Sequence, residues 1–351
     1  MTEPGQPDRS MRFFLLAVGD ETRASSRLRI WAHRNWFAGQ GQVTADYVVP
    51  DRVGGLRLLL RMVLRYPAWI IGFLRADVLL IQETLVLTPL VLLRGLFGRK
   101  VVIFDFSDPI DRHAHGLKGR LRKLGFRIMV RGSDHVMVEN RRYLSDEMMQ
   151  DKSASSFYGP IDVSRLKPRT ASGKAPAEPV RIGWTGSPST IHFLAPIFPA
   201  LDRLSASLDI ELVLMGSGAM PYDFTSLKVT LLPWSEAGEF ELLPTLDLGL
   251  FALEHTDEGG RRGAGKLFLY LASGVSFAAS DWGISSDVMK ESGVGFPVRS
   301  PGDWETVLSA AISAPETRAR FAEEGRAYAA ANISYEVYRD RLLAIMGVTL
   351  R

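Results

Sequence analysis

Two glycine-rich stretches of the sequence have residue types that bind phosphate. One is RIGWTGSPST (181–190), and the other is RRGAGKLFLYLASG (261–274), which becomes an apolar helical run after its lysine. Backbone N–H groups and the positive end of a helix dipole at such junctions attract anions. Two junctions in one half of the chain favour a diphosphate site; two ordinary capped turns are the alternative. The residues expected to form the site are Gly186, Ser187, Arg262, Gly263 and Lys266.

A second concentration of reactive side chains lies in IFDFSDPIDRHAHG (103–116). Carboxylates and imidazoles at the carboxyl end of a strand suit acid–base catalysis or polar contacts with a substrate. Asp105 still belongs to the strand and is expected to point inward, whereas Asp108 and His113 are the expected catalytic residues. A metal site and a solvated loop are the alternatives for this run.

Two arginines lie at the first strand-to-helix junction, GDETRASSRLR (19–29). Arg27 and Arg29 stand at the start of the next helix, where a guanidinium group could hold a phosphate or a sugar acid through two hydrogen bonds. A role as ordinary surface charges is the alternative.

These sites require strands that alternate with helices, and that rhythm predicts α/β layers with largely parallel sheets. In the first half we expect strands at 12–19, 44–50, 76–82, 100–106 and 134–140, and helices at 88–98 and 119–132. In the second half we expect strands at 180–186, 209–216, 228–233, 246–253, 275–280 and 295–298, and helices at 301–313, 316–331 and 334–347. Pro188 also predicts that a helix begins beside Ser187.

The polar, proline-rich run 164–179 separates the two halves. The predicted organisation is a disordered tail over 1–10, a Rossmann-like domain over 11–165, a linker over 166–179, a second Rossmann-like domain over 180–332 and a final helix over 333–351. Ligands in such folds bind at the carboxyl ends of the strands. The cleft between the domains is therefore the expected binding site.

The composition excludes several classes of protein. The 351 residues include no cysteine, which removes disulfides, thiolate metal sites and a cysteine nucleophile and fits a reducing cytoplasm. The polar first ten residues are not typical of a signal peptide, and the net charge of +3 does not indicate nucleic-acid binding. The absence of G-x-G-x-x-G, G-x-x-x-x-G-K-[ST], G-x-S-x-G and H-E-x-x-H counts against nicotinamide enzymes, P-loop NTPases, α/β-hydrolases and zincin proteases.

Several arginines interrupt the apolar run 52–75, and three of them are spaced four residues apart: Arg57, Arg61 and Arg65. On a helix they form one basic stripe beside leucines, a pattern typical of an interfacial helix that is attracted to anionic lipid. A surface helix with solvated arginines is the alternative. A transmembrane helix is not expected, because every window of about 20 residues in this run contains charge.

Together these residues resemble the GT-B fold glycosyltransferases of glycosyltransferase family 4. The run GAGKLFLYLASGVSFAASDWGISSDVMKESGVGFPV (263–298) follows that family's order of a lysine-bearing helix, a strand of small residues, Gly-x-x-x-Glu and Gly-x-x-Gly-Phe, with Asp287 at the glutamate position. IGWTGSPST resembles the family's phosphate loop, and ASSRLR, IFDFSD, VENRRYL and GPIDVSRLKP are weaker landmarks. The likeness covers most of residues 12–347.

The sequence departs from the family pattern at two carboxylates. Many relatives carry two glutamates eight positions apart around the lysine-bearing helix, where this chain has Arg261 and Leu269. Glu254, Asp257 and Glu258 are the nearby candidates to replace them. The contacts to the ribose and the identity of the donor are the features that this departure affects.

The resemblance implies two Rossmann-like domains facing across a cleft, with the last helix crossing back to the N-terminal domain. It implies transfer of a sugar from a nucleotide-sugar donor, held by the C-terminal domain, to a glycan or lipid-linked acceptor, held by the N-terminal domain. Retention at the anomeric carbon is implied, without a metal or another cofactor. Lys266 and Arg262 would neutralise the leaving diphosphate, Asp287 would join the donor contacts, and Asp108 or His113 would face the acceptor.

We therefore expect an enzyme of polysaccharide or glycoconjugate synthesis, without a nucleic-acid partner. Its expected place is the cytoplasm or the inner face of the cell membrane, with 52–75 against anionic lipid. The alternatives are a GT-B fold sugar-nucleotide epimerase and a non-catalytic GT-B protein that binds a nucleotide or a partner. The missing glutamate pair supports the non-catalytic alternative.

Overall fold

The computed structural model describes residues 11–50, 55–98, 100–108, 110, 116–168, 178–220 and 222–349. They form two compact α/β units, one with the described residues up to Phe157 and those from Tyr338 onward, the other with Tyr158–Val337. Each unit has a parallel six-stranded sheet, which confirms the predicted α/β class with two Rossmann-like domains. The predicted tail over 1–10 and residues 169–177 of the predicted linker lie outside the described residues.

The first unit has a sheet of order β2-β1-β3-β4-β5-β6. Its strands are β1 Met11–Gly19, β2 Gly41–Val49, β3 Val78–Gln82, β4 Val101–Phe106, β5 His135–Val138 and β6 Ala154–Ser156. Its first helices are α1 Ala24–Arg29, α2 Arg34–Gln40, α3 Gly55–Arg75, α4 Thr88–Leu92 and α5 Gly116–Gly132. Short 3₁₀ helices lie at Trp31–His33, Arg94–Phe97, Arg141–Ser145 and Glu147–Met149.

The core of the first unit follows from its apolar strands. Every residue of β3 and β4 is buried, as expected for central strands covered on both faces. On one face, α3, α4 and α5 contribute side chains such as Trp69, Phe73 and Phe126 to a single apolar cluster with the sheet. Strand β6 was not predicted, because its three half-buried residues carry no apolar run.

The second unit has a sheet of order β12-β11-β10-β7-β8-β9. Its strands are β7 Val180–Thr185, β8 Ile210–Met215, β9 Lys228–Leu232, β10 Leu248–Phe251, β11 Phe277–Ser280 and β12 Phe296–Val298. Its helices are α6 Phe198–Ser205, α7 Glu236–Leu242, α8 Asp257–Gly260, α9 Gly265–Ser273, α10 Gly283–Ser292, α11 Trp304–Ile312 and α12 Pro315–Asn332. Short 3₁₀ helices lie at Ile191–Leu194, Leu243–Thr245 and Pro301–Asp303.

The last helix, α13 (Tyr335–Thr349), begins in the second unit and has most of its residues in the first. The buried hydroxyl of Tyr338 donates to the carbonyl oxygen of Arg29 at 3.2 Å, and its ring lies 5.2 Å from that of Phe157. The return of the last helix to the N-terminal domain, which the resemblance implied, is confirmed.

Candidate functional site

Two loops of the second unit meet at the carboxyl ends of its central strands. Gly186 follows β7 and Gly216 follows β8. Gly216 has φ +77°, and a Cβ there would lie 2.2 Å from the carbonyl oxygen of Gly186. Only glycine fits both the backbone angle and this spacing. The loops are therefore in direct contact at the edge of the sheet where ligands of such folds bind.

Lys266, from the second glycine-rich motif, lies against the β7 loop. It is the second residue of α9 and half-buried, and its ammonium nitrogen is 5.2 Å from the centroid of the Trp184 ring. A Cβ on Gly186 would lie 2.9 Å from the Cε of Lys266 and 2.3 Å from the Trp184 ring. The fold thus brings Gly186 and Lys266, 80 residues apart in sequence, side by side.

The β7 loop differs from its prediction in two respects. No helix begins at Pro188: a turn over 187–190 leads into the 3₁₀ helix Ile191–Leu194, and α6 begins only at Phe198. The backbone N–H of Gly186 donates to the carbonyl oxygen of Met215 at 3.0 Å, so it does not face a ligand. Gly186 instead permits the close approach of neighbouring groups.

The hydroxyl groups of the β7 loop form an exposed cluster. Ser187 Oγ lies 2.8 Å from Ser189 Oγ and 3.4 Å from Thr190 Oγ1. Thr190 Oγ1 also donates to the carbonyl oxygen of Ser187 at 3.1 Å. Donors and acceptors on one short turn are suited to an anionic or hydroxylated ligand.

A capping hydrogen bond and an ion pair stabilise the segment that precedes α9. Thr256 accepts a hydrogen bond from the N–H of Gly259 and caps α8, and Arg261 Nε lies 3.2 Å from Asp257 Oδ1. A carboxylate therefore lies beside Arg261, the position at which the resemblance implied a glutamate. The Arg262 guanidinium lies 4.9 Å from the ring centroid of Phe193, on the element after the β7 loop.

The remaining predicted donor contacts lie close to this segment in the chain. Gly263 is half-buried in the turn between α8 and α9. Asp287 is half-buried in the second turn of α10. That helix begins at Gly283, with φ +57°, where a Cβ would lie 2.5 Å from the carbonyl oxygen of Gly260 in α8.

Glu239, a buried carboxylate at the same edge of the second sheet, was not expected from the sequence. It accepts hydrogen bonds from Thr185 Oγ1 at 2.6 Å and from Trp234 Nε1 at 3.3 Å. Glu239 lies on α7, which Ser235 caps by accepting from the N–H of Gly238. The Ser-x-x-Gly start of that helix was visible in the sequence, but its link to the end of β7 was not. The indole of Trp234 is 37% exposed and lies beside Gly216.

In the first unit, Arg29 is not the phosphate contact that was predicted. Its guanidinium is 1% exposed and donates to both carboxylate oxygens of Asp105, at 2.6 and 2.5 Å. It also lies 3.5 Å from Glu139 and donates to the carbonyl oxygen of Phe157 at 3.4 Å. Burial, the largest single influence, would lower the pKa of Arg29, but the charge of Asp105, its hydrogen bond and the nearby Glu139 together outweigh burial and raise the pKa. Arg29 therefore neutralises buried carboxylates, and the inward position expected for Asp105 is confirmed.

Arg27 holds the loop after β1. Its NH1 group donates to the carbonyl oxygens of Glu21 and Thr22 at 3.3 and 3.4 Å. The side chain is half-buried. Its predicted contact with an acceptor or phosphate stays a prediction.

Asp108 follows β4 beside a buried glutamate that the sequence did not reveal. Glu83 follows β3 with φ +52°, which non-glycine residues rarely adopt. Its carboxylate accepts hydrogen bonds from the N–H and the hydroxyl of Ser107 and, at 3.0 Å, from Ser25. Burial raises the pKa of Glu83, and the charge of Asp108 raises it further. Such environments often mark functional sites. The other predicted catalytic residue, His113, lies outside the described residues.

The basic stripe of α3 points partly inward. Arg65 donates to Asp46 of β2 at 2.5 Å, and Arg61 lies 3.7 Å from the same carboxylate and 4.2 Å from the ring centroid of Tyr47. Arg57 is exposed. Two of the three arginines therefore fasten α3 to the sheet. None of the helices in the described part of the chain has the length and apolarity that a membrane span requires.

No family model matches the chain, and no curated protein does. Solved structures match nearly all of the chain. Sucrose-phosphate synthase from Thermosynechococcus elongatus matches with 10% identity and a TM-score of 0.73, over 97% of this chain and 99% of that one. Anabaena HepE in complex with UDP-glucose matches with 11% identity and a TM-score of 0.71, over 96% of this chain and 99% of that one. An alpha-glucosyltransferase in complex with UDP and a 13-mer DNA also matches, with 15% identity and a TM-score of 0.63, over 97% of this chain and 100% of that one. The chain thus has the two-domain α/β fold of GT-B glycosyltransferases.

Proposed function

We propose that the chain is a glycosyltransferase that transfers a sugar from a nucleotide-sugar donor to a glycan or lipid-linked acceptor, in polysaccharide or glycoconjugate synthesis. The observation that carries the proposal is the position of Lys266, beside the glycine loops at the carboxyl ends of β7 and β8. HepE with UDP-glucose and the alpha-glucosyltransferase with UDP have matching folds. UDP-sugars are therefore the first donors to test.

On the donor side, cations of the second unit would neutralise the leaving diphosphate. The ammonium group of Lys266 and the guanidinium of Arg262 are the proposed counter-charges, and the exposed hydroxyl of Ser187 is a proposed hydrogen-bond donor. Charge that develops on a leaving group is stabilised best by groups already fixed in place. Helix α9 begins at Gly265, next to Lys266, and adds the positive end of its dipole. Gly263 and Asp287 are the further proposed donor contacts.

The exposed indole of Trp234 is the proposed contact of the nucleotide base. It lies at the same edge of the sheet as the β8 loop, beside Gly216, and its N–H is fixed by Glu239. An aromatic face gives a planar base a stacking surface. The chain departs from relatives near the ribose, so a stacking contact would supply affinity that the missing carboxylates do not.

On the acceptor side, Asp108 is the proposed contact of the acceptor hydroxyl, with His113 as the alternative. Glu83 would act on Asp108 indirectly, by fixing Ser107 through two hydrogen bonds. We further propose retention of the anomeric configuration and transfer without a metal, as the sequence resemblance implies. An anomeric proton spectrum of the product and activity in excess EDTA test these two points.

The cytoplasm is the proposed location, since a chain without cysteine fits a reducing compartment. Nucleic acid is not a proposed substrate, although a neighbour with a matching fold was solved with DNA. The net charge of +3 supports this choice. Duplex and single-stranded DNA belong in the acceptor panel as the direct check.

The decisive experiment measures binding and turnover with one donor panel. UDP, GDP, TDP and their sugars are titrated calorimetrically, and each bound donor is then assayed for hydrolysis and transfer. Lys266→Ala should weaken nucleotide binding about 10- to 100-fold, the worth of one charge-assisted contact, and Lys266→Arg should retain most of it. Unchanged affinity in Lys266→Ala would refute the proposed clamp.

The same panel separates the alternatives. Nucleotide binding without hydrolysis or transfer would favour a non-catalytic protein, for which Arg261 and Leu269 at the two glutamate positions are the supporting observation. Interconversion of donor sugars without transfer would favour an epimerase. Release of the nucleotide together with a glycosylated product would establish the proposed reaction.

A further inference from the structure

The outer side of one helical layer in the first unit is apolar and exposed. Helices α3, α4 and α5 pack their inner sides on the same face of the sheet. Of the sixteen large apolar side chains that are exposed among the described residues, thirteen lie in α3, α5 and 88–97. Leu56, Leu64, Leu96 and Leu117 are each more than 70% exposed. We call this surface, formed by α3, 88–97 and α5, the leucine face.

The same segments carry only positive charge. The residues 55–75, 88–97 and 116–132 contain eleven lysines and arginines and no aspartate or glutamate. The whole chain is nearly balanced, with 42 basic and 39 acidic residues. An acid-free surface in a balanced chain is a local feature and points to an anionic partner.

Eight of these eleven basic residues fall into two groups. Arg61 and Arg65 of α3 contact Asp46, and Arg94 pairs with Asp134. These arginines hold the layer to the sheet. Arg57 of α3 and Lys118, Arg120, Lys123 and Arg127 of α5 are exposed among the leucines. Helix α5 therefore supplies most of the charge that a partner would meet, a role that the sequence alone had given to the α3 stripe.

We propose that the leucine face docks on the surface of an anionic lipid bilayer. Leucines inserted at the level of the headgroups and cations beside them are the two elements of interfacial binding by amphipathic helices. A nucleic acid would pair with the cations but leave the leucines in water. A second copy of the chain would place one acid-free surface against another, which repulsion opposes. Of these three partners, anionic lipid alone satisfies both features of the face.

Co-flotation of the full-length protein with vesicles tests the proposal. The vesicles are pure phosphatidylcholine or phosphatidylcholine with 30% phosphatidylglycerol, at 0.1 and 0.5 M salt. We expect flotation with the anionic vesicles and weaker flotation with the neutral ones and at high salt. The triple variant Leu117→Ser, Leu121→Ser, Leu124→Ser should lower the partition coefficient at least tenfold, because three exposed insertion sites are lost. This expectation does not depend on the proposed enzymatic activity.

The controls use exposed leucines outside the face. Leu231→Ser and Leu343→Ser, at positions 45% and 41% exposed, should float like the wild type. Equal thermal unfolding of all variants shows that each has folded. Failure of the wild type to float with anionic vesicles, or wild-type flotation of the triple variant, would overturn the proposal. Leucine-dependent dimerisation or binding to a DNA duplex without flotation would do the same and identify the other partner.

Discussion

Arg29 and Asp105 form a fully buried pair, in which the guanidinium donates to both carboxylate oxygens at 2.6 and 2.5 Å. Glu139 and the carbonyl oxygen of Phe157 occupy a further side of Arg29. The pair joins α1 to β4, and Tyr338 of α13 reaches the carbonyl oxygen of Arg29. One arginine thus connects a strand and two helices of the first unit.

Replacement of Arg29 should destabilise the first unit severely. Arg29→Met leaves Asp105 and Glu139 buried without their counter-charge, which typically costs about 3–5 kcal/mol. Urea unfolding, with hydrogen exchange of β4 amides to identify the unit, measures the change. The double variant Arg29→Met, Asp105→Leu should recover part of the loss.

The exposed pair Arg203–Glu305 provides the control, where Arg203→Ala should cost about 0–1 kcal/mol. A loss in Arg29→Met no larger than this would show that the buried pair is not needed.

The sequence predicted features that depend on neighbouring residues. Every strand of the described residues except β6 was predicted, because continuous apolar runs between polar turns indicate buried strands. The lysine at the start of α9 was identified from its local pattern of glycines. The prediction of a helix at Pro188 was wrong, because the chain makes a turn over 187–190 before the next helical element.

Pairings between distant residues were not predictable from these patterns. Arg29 and Asp105 are 76 residues apart, and Thr185 and Glu239 are 54 apart. A surface arginine and a buried one look alike in sequence, and only the register of the strands decides which carboxylate lies opposite. The buried Glu83 was missed for the same reason, since its partner Ser107 comes from the next strand of the sheet.

The first unit should lose stability in mild acid through His33. Its Nε2 lies 3.0 Å from the carbonyl oxygen of Leu28, and its Nδ1 accepts from Arg339 Nε at 3.3 Å, so the fold requires the neutral ring. Burial, with the nearby charge of Arg339, lowers the pKa of His33 to about 3. The stabilisation is present above the unfolded pKa of about 6.5 and is lost as the pH falls towards 3.

Thermal unfolding between pH 7.5 and 4 measures this effect. Each pH unit below about 6.5 should cost about 1.4 kcal/mol through this one histidine. Hydrogen exchange should rise first in α13, which carries Arg339. His33→Gln should flatten the pH dependence, whereas His255→Gln, at an exposed position of the second unit, should leave it unchanged. A wild-type slope in His33→Gln would contradict the assignment.

Gly186→Ala should displace the side chains of the proposed donor site that lie beside Gly186. The added Cβ would lie 2.3 Å from the Trp184 ring and 2.9 Å from the Cε of Lys266, so both side chains must move. Such overpacking typically costs about 1–3 kcal/mol. We expect a lower melting temperature of the second unit and nucleotide affinity reduced about as much as in Lys266→Ala.

A matched glycine provides the control for that variant. At Gly302, in the 3₁₀ helix Pro301–Asp303, the nearest atom to an added Cβ is 3.8 Å away. Gly302→Ala should therefore keep both the melting temperature and the nucleotide affinity. Wild-type affinity in Gly186→Ala would show that the position of Lys266 does not govern binding.

Glu83 should give the first unit a pH dependence of opposite sign to that of His33. Its folded pKa is raised above the usual 4.5 by burial and by the charge of Asp108. A raised carboxyl pKa means that the folded state holds the proton more tightly than the unfolded chain does. The contribution of Glu83 therefore favours folding below pH 4.5 and is lost as the pH rises through the raised value.

Glu83→Gln cannot titrate and should gain stability relative to the wild type as the pH rises from 4 to 8. Glu324→Gln removes an exposed ion pair with Arg320, and its stability relative to the wild type should stay constant over this range. If the melting temperatures of Glu83→Gln and the wild type changed in parallel over this pH range, Glu83 would be ionised in the folded chain at no cost in stability.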